Sequence, residues 1–215
     1  MVKTKTSVAE FFDSYAHDFD AIYGARHTAV NRLINTFFRK SMRMRYERTI
    51  EGCDPIEGRS VVDIGCGPGH FGIALASKGA GRVLGLDFAE QMLAVAHRHA
   101  ERKGVADKCE WVLGDFLTYP FEERFDYAIV CGFMDYIAEP TPVIDKVLSI
   151  TKSKAFFSFP SASGVLAWQR KVRYRSRCDL FMYTRPQLED LFRGKNADVT
   201  IEPIARDFFV TAAPR

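Results

Sequence analysis

The chain has 215 residues, enough for one sizeable domain, and its 47% hydrophobic and 27% charged residues are typical of a globular protein with a buried core. This composition excludes a disordered or collagen-like chain, and no apolar run reaches transmembrane length. The net charge of +3 is uneven, because two basic segments, residues 1–50 and 161–185, flank an acidic middle. The five cysteines form no C-x-x-C pair and the first residues lack an apolar signal core, so we expect a cytoplasmic chain with reduced cysteines and no metal.

Two helices are predicted in the first 55 residues. Ser7-Val8-Ala9-Glu10 fits a capping box and opens a short helix. Apolar residues at helical spacing predict a second helix from about Thr28 to Ile50, with a basic flank that suits a solvated helix end. We predict that residues 1–55 form a helical cap over the candidate site of a domain that spans residues 56–215.

Strands and helices alternate from residue 60 onward. Short apolar or β-branched runs predict strands, and the amphipathic segments between them predict helices. The predicted strands are Ser60–Ile64, Arg82–Leu86, Cys109–Leu113, Tyr127–Cys131, Ala155–Phe159, Val199–Ile204 and Phe208–Ala212. This alternation indicates an α/β fold with a mostly parallel sheet, helices on both faces and ligands at the carboxyl ends of the strands. Residues 160–183 form a basic insertion that the pattern does not assign.

A glycine-rich loop, Asp63-Ile64-Gly65-Cys66-Gly67-Pro68-Gly69, lies between the first predicted strand and a helix. Its glycines allow a sharp turn and a close approach to a ligand, and the helix N-terminus that follows favours negative charge. Residues 67–72 also fit G-x-G-x-x-G, so the loop alone does not separate NAD from another adenosine ligand. Asp87 closes the second strand 20 residues after Gly67, where it would accept hydrogen bonds from ribose hydroxyls in either case.

A second acid separates these alternatives. Gly114-Asp115-Phe116 follows the third predicted strand, 28 residues after Asp87. An acid with an aromatic neighbour at this position can bind an adenine amino group and stack on its ring. A dehydrogenase has no systematic need for that pair, and the chain has neither a Tyr-x-x-x-Lys pair nor room for a separate substrate domain.

Taken together, these segments resemble the class I S-adenosylmethionine-dependent methyltransferases. Residues 61–69 resemble the first motif of that family, residues 85–93 the second, residues 114–116 the third and residues 125–131 the fourth strand. The resemblance implies a Rossmann-like sheet of seven strands, the last antiparallel, and S-adenosylmethionine as the cofactor, with S-adenosylhomocysteine as the product. It also implies that the cofactor contacts Asp63, Gly65, Cys66, Gly67, Asp87, Phe88, Met92, Asp115, Phe116 and Cys131.

The small-molecule methyltransferases are the most similar part of the family. Residues 12–20 resemble the aromatic start of many of them, which implies that Tyr15 covers the cofactor. Tyr23 is the second aromatic candidate there, and we assign it to the substrate side. A fainter similarity links the arginine-rich segment after the fifth strand to magnesium-protoporphyrin O-methyltransferases.

A general base is needed only if the methyl acceptor carries a proton that must leave. His70 begins the helix after the glycine loop, and Asp135 and Tyr136 follow the fourth predicted strand, so these three are the catalytic candidates. Two of them have structural alternatives, because His70 can pack at the helix start and Asp135 can act as an N-cap.

The basic segment from Trp168 to Arg177 carries five cations among aromatic residues. Guanidinium groups match carboxylate and phosphate, so Arg173 and Arg175 are candidate substrate ligands. A solvated rim, a nucleic-acid surface and a membrane-surface segment are the other interpretations. We expect methyl transfer to an oxygen of a small anionic metabolite. RNA or protein methylation and a catalytically silent adenosine-binding module are the alternatives.

Overall fold

The computed structural model describes residues 29–163 and 179–215, with side chains from residue 40 onward. These residues form seven strands: β1 (Ser60–Ile64), β2 (Arg82–Asp87), β3 (Cys109–Leu113), β4 (Phe125–Val130), β5 (Thr151–Pro160), β6 (Ala197–Ile204) and β7 (Asp207–Pro214). The α-helices in the same ranges are α1 (Ala29–Gly52), α2 (His70–Ser77), α3 (Glu90–Lys103), α4 (Pro140–Ile150) and α5 (Arg185–Phe192). The predicted alternation of strands and helices is therefore confirmed.

The seven strands form one sheet in the order β3-β2-β1-β4-β5-β7-β6. The first five strands of this order are parallel, and β7 pairs antiparallel with both β5 and β6. The predicted Rossmann-like sheet with an antiparallel last strand is confirmed. The chain runs outward from β1 to β3 and then returns to β4, so the strand order reverses between β1 and β4. Ligands of such sheets bind at this reversal, outside the carboxyl ends of the strands.

Side chains alternate between the two faces of the sheet and build a separate core on each. Val62, Val130 and Phe157 face the core that α4 and α5 cover. Val61 and Phe156 face the core on the side of α2. Because both faces are covered, the central strands read as continuous apolar runs in the sequence. The buried cores therefore hold the carboxyl ends of β1, β2 and β4 in fixed positions.

Local signals set several helix ends. Helix α3 ends at Gly104, which has a φ of 67° and supplies the left-handed C-cap that glycine favours. Helix α4 begins with a proline in its first turn. Helix α5 begins with the capping box at Thr184, whose backbone N–H donates to Oε1 of Gln187 at 2.8 Å.

Helix α1 lies against the core on the α2 side of the sheet. Met44 and Ile50 pack against that core, and a Cβ added to Gly52 would lie 2.5 Å from the ring of Phe156. No helix in the described ranges has an apolar stretch long enough to cross a bilayer. The larger cap over residues 1–55 stays a prediction, because residues 1–28 lie outside the described ranges.

Candidate functional site

The glycine loop after β1 is held against the end of β2. The carbonyl oxygen of Leu86 accepts hydrogen bonds from the backbone N–H groups of Gly65 at 2.8 Å and Cys66 at 3.1 Å. Gly65 has a φ of 67°, and a Cβ at this position would lie 2.7 Å from the ring of Phe133. Glycine is therefore required at residue 65 for both its backbone conformation and the space beside it.

The carboxylate of Asp87 joins the two loops that follow β1 and β2. One oxygen, Oδ2, accepts the backbone N–H of Gly67 at 2.8 Å, and the other, Oδ1, accepts that of Ala89 at 2.9 Å. Each carboxylate oxygen has a second lone pair, so the group can accept further hydrogen bonds from a ligand hydroxyl. Asp87 is only partly buried, at the carboxyl end of β2, where a ribose can reach it.

Asp115 lies beside Asp87 at the ends of neighbouring strands. The carbonyl of Asp87 accepts the backbone N–H of Gly114 at 2.9 Å, which ties the loop after β3 to the end of β2. Oδ1 of Asp115 accepts the backbone N–H of Leu117 at 3.0 Å. Lys146 of α4 supports the same loop, because its Nζ donates to the carbonyls of Leu117 at 2.9 Å and Tyr119 at 2.7 Å.

Large apolar side chains are exposed around the two acids. Phe88, Leu113 and Leu117 are 36%, 56% and 38% exposed. Among the described residues, Tyr46 is the only other exposed large apolar side chain, at 39%. A cluster of exposed apolar groups usually marks a binding surface. The apolar surface beside the two acids is therefore a candidate contact for an apolar ring of a ligand.

Asp63 supports the glycine loop from below. Its carboxyl group is 2% exposed, and Oδ2 accepts the backbone N–H of Gly72 in α2 at 3.3 Å. Burial, with a smaller contribution from the nearby charge of Asp87, raises the pKa of Asp63 to about 7 against the lowering effect of the Gly72 hydrogen bond. The group is buried behind the loop, so it acts on the loop and has little surface for direct contact with a ligand.

A polar cluster lies at the carboxyl ends of β4 and β5, beneath α1. The hydroxyl oxygen of Ser158 accepts the backbone N–H of Gly132 at 2.8 Å and Nη1 of Arg45 at 3.1 Å. Nε of Arg45 is buried and has no hydrogen-bond partner among the described residues. Cys131 is half-buried beside them, and burial raises the pKa of its thiol to about 11. The cluster therefore holds a cationic group with an unused donor, next to an uncharged thiol.

The other residues after β4 face the segment that precedes α5. The carbonyl oxygen of Asp135 accepts the backbone N–H of Phe181 at 2.9 Å, and the hydroxyl of Tyr183 donates to the carbonyl of Ile137 at 3.3 Å. The side chain of Asp135 is 5% exposed, whereas Tyr136 is half-buried. Burial and the charge of Asp135 raise the pKa of Tyr183 to about 12. Of the two candidates in this loop, Tyr136 has the more accessible side chain.

The structure does not bring all predicted site residues together. The ring of His70 is exposed and stacks on His99 of α3 at a centroid distance of 6.0 Å, which fits the packing alternative that the sequence left open. Phe116 is 2% exposed and contacts the ring of Phe121 in the core, so it is not part of the exposed apolar surface beside the two acids. Met92 is also buried, at 2% exposure. Tyr15, Tyr23, Arg173 and Arg175 lie outside the described residues.

Sequence reasoning missed three residues that the structure adds to this edge of the sheet: Arg45, Leu113 and Leu117. Arg45 is one of several basic residues at the end of α1, and only its burial distinguishes it from them. A signal was present, because Ser41, Arg45 and Thr49 recur every four residues and therefore share one face of the helix. Ser41 and Thr49 are buried polar residues, so this face contacts the body of the protein.

The reversal of strand order, the glycine loop and the paired acids define a nucleoside-binding α/β domain. Residues 61–154 match the family model described as a methyltransferase domain. The ubiquinone biosynthesis O-methyltransferase of Pseudomonas fluorescens (strain SBW25) is 31% identical over 105 residues, which are 48% of this chain and 45% of that protein. The ribosomal protein L11 methyltransferase of Aeromonas salmonicida (strain A449) is 45% identical over 64 residues, 30% of this chain and 22% of that one.

A solved structure has the same fold. Magnesium protoporphyrin IX methyltransferase from Synechocystis PCC 6803, crystallised with bound SAH, has a TM-score of 0.77 and 19% identity over 99% of this chain and 100% of that one. At 19% identity, this structural similarity is evidence for the fold alone. The chain carries a class I S-adenosylmethionine-dependent methyltransferase domain, and the resemblance inferred from the motifs is confirmed. The chain spans less than half the length of each of the two curated relatives described above.

Proposed function

We propose that this protein is an S-adenosylmethionine-dependent methyltransferase that methylates an oxygen of a small anionic metabolite. The observation that carries the proposal is the edge formed by Asp87 and Asp115, with exposed apolar side chains beside them. Asp87 would accept the ribose hydroxyls and Asp115 the adenine amino group. Phe88, Leu113 and Leu117 would cover the ring. The family match and the methyltransferase relatives support this assignment.

Arg45 completes the proposed cofactor site at its other end. Adenosine at β2 and β3 directs the methionine part of the cofactor across β1 toward β4, along the order of the strands. Arg45 lies at that end with a buried Nε that has no partner among the described residues. A guanidinium group binds carboxylate through paired N–H donors, so Arg45 would hold the methionine carboxylate.

The cofactor supplies a methyl group on a sulfonium, which is already activated for displacement. The residues of the chain must then align the acceptor with the methyl group and exclude water. If the acceptor is a hydroxyl, Asp135 or Tyr136 in the loop after β4 would take its proton, whereas a carboxylate acceptor needs no base. Arg173 and Arg175 would bind the anionic group of the acceptor, as the charge of residues 161–185 indicates.

The acceptor class is tested with the full chain and methyl-labelled S-adenosylmethionine. We expect label in small carboxylates or hydroxyl compounds and none in RNA or in protein. Mild alkali then separates the products, because it releases methanol from a methyl ester and leaves a methyl ether or a methylated nitrogen intact. Label in RNA or protein would favour those acceptors instead. Cofactor binding without transfer to any acceptor class would favour the silent adenosine-binding module.

Replacing Arg45 with methionine is expected to weaken S-adenosylmethionine binding about 10- to 150-fold. A hydrogen bond to a charged group contributes about 1.5–3 kcal/mol, and the variant loses that contact with the carboxylate. Decarboxylated S-adenosylmethionine lacks only the carboxylate, so its affinity should change little. Calorimetry with the two ligands measures both effects.

Arg48→Met is the matched control for this experiment. Arg48 lies one turn further along the same helix, is exposed, and pairs with Glu202 at 3.7 Å. The control should bind both ligands as the parent chain does. An equal loss of affinity for the two ligands in Arg45→Met would show that Arg45 supports the fold and does not bind the carboxylate.

A further inference from the structure

Ser158 is a buried hydroxyl group within an apolar strand. It is 1% exposed and stands between Phe157 and Phe159 in β5. Burial of a hydroxyl is unfavourable unless it is hydrogen-bonded, so the contacts of this group account for its presence. Its oxygen accepts the backbone N–H of Gly132 at 2.8 Å and Nη1 of Arg45 at 3.1 Å.

These two contacts join three elements of the chain at one point. Gly132 follows β4 and has a φ of 81°, so it makes the turn that leads into the loop of Asp135 and Tyr136. Arg45 belongs to α1, and Ser158 belongs to β5. A hydrogen bond from Ser158 also lowers the pKa of Cys131, although burial keeps that pKa high. The hydroxyl therefore has partners for both its lone pairs and its proton.

The contact with Ser158 constrains how the guanidinium of Arg45 can point. A guanidinium is planar and rigid, so a hydrogen bond that holds Nη1 restricts the orientation of the plane and the direction of Nε. Nε is buried and has no partner among the described residues. An arginine side chain has several rotatable bonds, and without an anchor it would lose more conformational entropy on binding a ligand.

We infer that Ser158 is a positioning residue, which holds the Arg45 guanidinium in the orientation that receives the methionine carboxylate of the cofactor. This inference rests on the proposed function. It assigns to a residue in β5, outside all the sequence motifs, a part in selecting ligands that carry an amino-acid tail. Ser158 acts through Arg45 and does not itself touch the cofactor.

A purely structural role would also explain a buried serine, because the Gly132 N–H needs an acceptor. The two roles predict different results when Arg45 is absent. If Ser158 acts through Arg45, its removal has no further effect on ligand binding in a chain that lacks the guanidinium. If Ser158 only supports the Gly132 turn, its removal has the same effect with or without Arg45. A double-mutant cycle separates these outcomes.

The experiment measures the affinities of S-adenosylmethionine and of decarboxylated S-adenosylmethionine by calorimetry. The chains compared are the parent, Ser158→Ala, Arg45→Met and the double variant. We expect Ser158→Ala to weaken S-adenosylmethionine binding about 3- to 10-fold. Decarboxylated S-adenosylmethionine should keep its affinity to within about twofold. Adding Ser158→Ala to Arg45→Met should change neither affinity by more than about twofold.

Ser153→Ala is the matched control, because Ser153 is an exposed serine in the same strand. It should bind both ligands as the parent chain does. If Ser158→Ala does not fold, as judged by thermal melting, Ser158→Cys replaces it in the cycle, since a thiol is a much weaker acceptor of similar size. The same selective loss of S-adenosylmethionine affinity is expected for Ser158→Cys.

Two results would overturn the role of Ser158 alone. One is an equal loss for both ligands, and the other is an undiminished effect of Ser158→Ala in the Arg45→Met chain. In either case the parent chain still binds S-adenosylmethionine, so the proposed function is unaffected. Failure of the parent chain to bind S-adenosylmethionine would instead contradict the proposed function, and the inference about Ser158 with it.

Discussion

Replacing Asp87 with alanine is expected to weaken S-adenosylmethionine binding about 10- to 150-fold. The carboxylate would lose its hydrogen bonds to the ribose, and hydrogen bonds to a charged group contribute about 1.5–3 kcal/mol. The backbone N–H groups of Gly67 and Ala89 would also lose their acceptor, so the two loops beside the ligand would be less well fixed. Calorimetry with S-adenosylmethionine and with adenosine measures the loss, which should appear for both ligands.

The ribose contact can be separated from the loop contact by changing the ligand. In the parent chain, 2′-deoxyadenosine should bind more weakly than adenosine. In Asp87→Ala the two nucleosides should bind equally, because the group that distinguishes them is gone. A preference for adenosine that persists in the variant would mean that another group holds the 2′-hydroxyl.

Asp126→Ala is the matched control for Asp87→Ala. Asp126 also accepts two hydrogen bonds, from the backbone N–H and the hydroxyl of Ser60, both at 2.8 Å. It lies near the amino end of β4, at the opposite edge of the sheet. This variant should lose stability and keep the cofactor affinity of the parent chain. Unchanged affinity in Asp87→Ala, with the expected result in the control, would contradict the proposed adenosine site.

Most of the strands could be predicted because their signals are local. Strands β1 and β3 begin and end where the sequence predicts, and β2 is one residue longer. A buried parallel strand needs a continuous apolar run, and a glycine loop marks its end. The order of the strands has no such local signal. The position of β7 between β5 and β6 follows from the family resemblance, since only long-range pairing determines it.

Phe116 shows why an aromatic residue beside a site is ambiguous in a sequence. The chain turns after Asp115, whose carbonyl oxygen accepts the backbone N–H groups of Thr118 and Tyr119 at 3.1 and 2.9 Å. This turn directs Phe116 into the core, where Nζ of Lys146 lies 5.3 Å from the centre of its ring. Two of the three exposed apolar side chains at this edge, Leu113 and Leu117, are aliphatic, and nothing in their sequence spacing distinguishes them from core residues.

For Arg45 the difficulty is different. The sequence shows that residue 45 is basic, but it does not show whether the side chain is buried or exposed. Its basic neighbours on α1 include Arg43, whose side chain is 78% exposed and pairs with Glu47 at 2.7 Å. The same residue type is thus a surface group at one position and a buried donor two residues later. Only the packing of α1 against β5 and β6 separates the two, and that packing is a tertiary property.

The free energy of unfolding is expected to depend on pH because the carboxyl group of Asp63 is buried. In the folded chain this group keeps its proton up to about pH 7, because burial raises its pKa. In the unfolded chain a carboxyl of this type loses its proton near pH 4. Between these values the folded chain binds more protons, so the free energy of unfolding falls as the pH rises. A difference of this size corresponds to about 4 kcal/mol at most.

Asp63→Asn is therefore expected to be more stable than the parent chain at pH 8 and to lack most of this decline. The amide oxygen can still accept the Gly72 N–H, and a neutral side chain removes the repulsion from Asp87. Urea unfolding between pH 5 and pH 8 gives the free energy at each pH. Comparison of variant with parent cancels the contribution of the histidines, which titrate over the same range.

Asp126→Asn provides a control of opposite sign for the pH experiment. Burial raises the pKa of Asp126, but the Ser60 hydrogen bonds and the charges of Lys152 and Arg59 lower it more, so the net change is downward. Its contribution to stability is present above the ordinary pKa of the carboxyl and is lost as the pH falls through the lowered folded value. This variant should be less stable than the parent at neutral pH and keep the decline from pH 5 to pH 8.

If Asp63→Asn showed the same decline as the parent, the Asp63 carboxylate would have to be charged in the folded protein and balanced by a cationic partner.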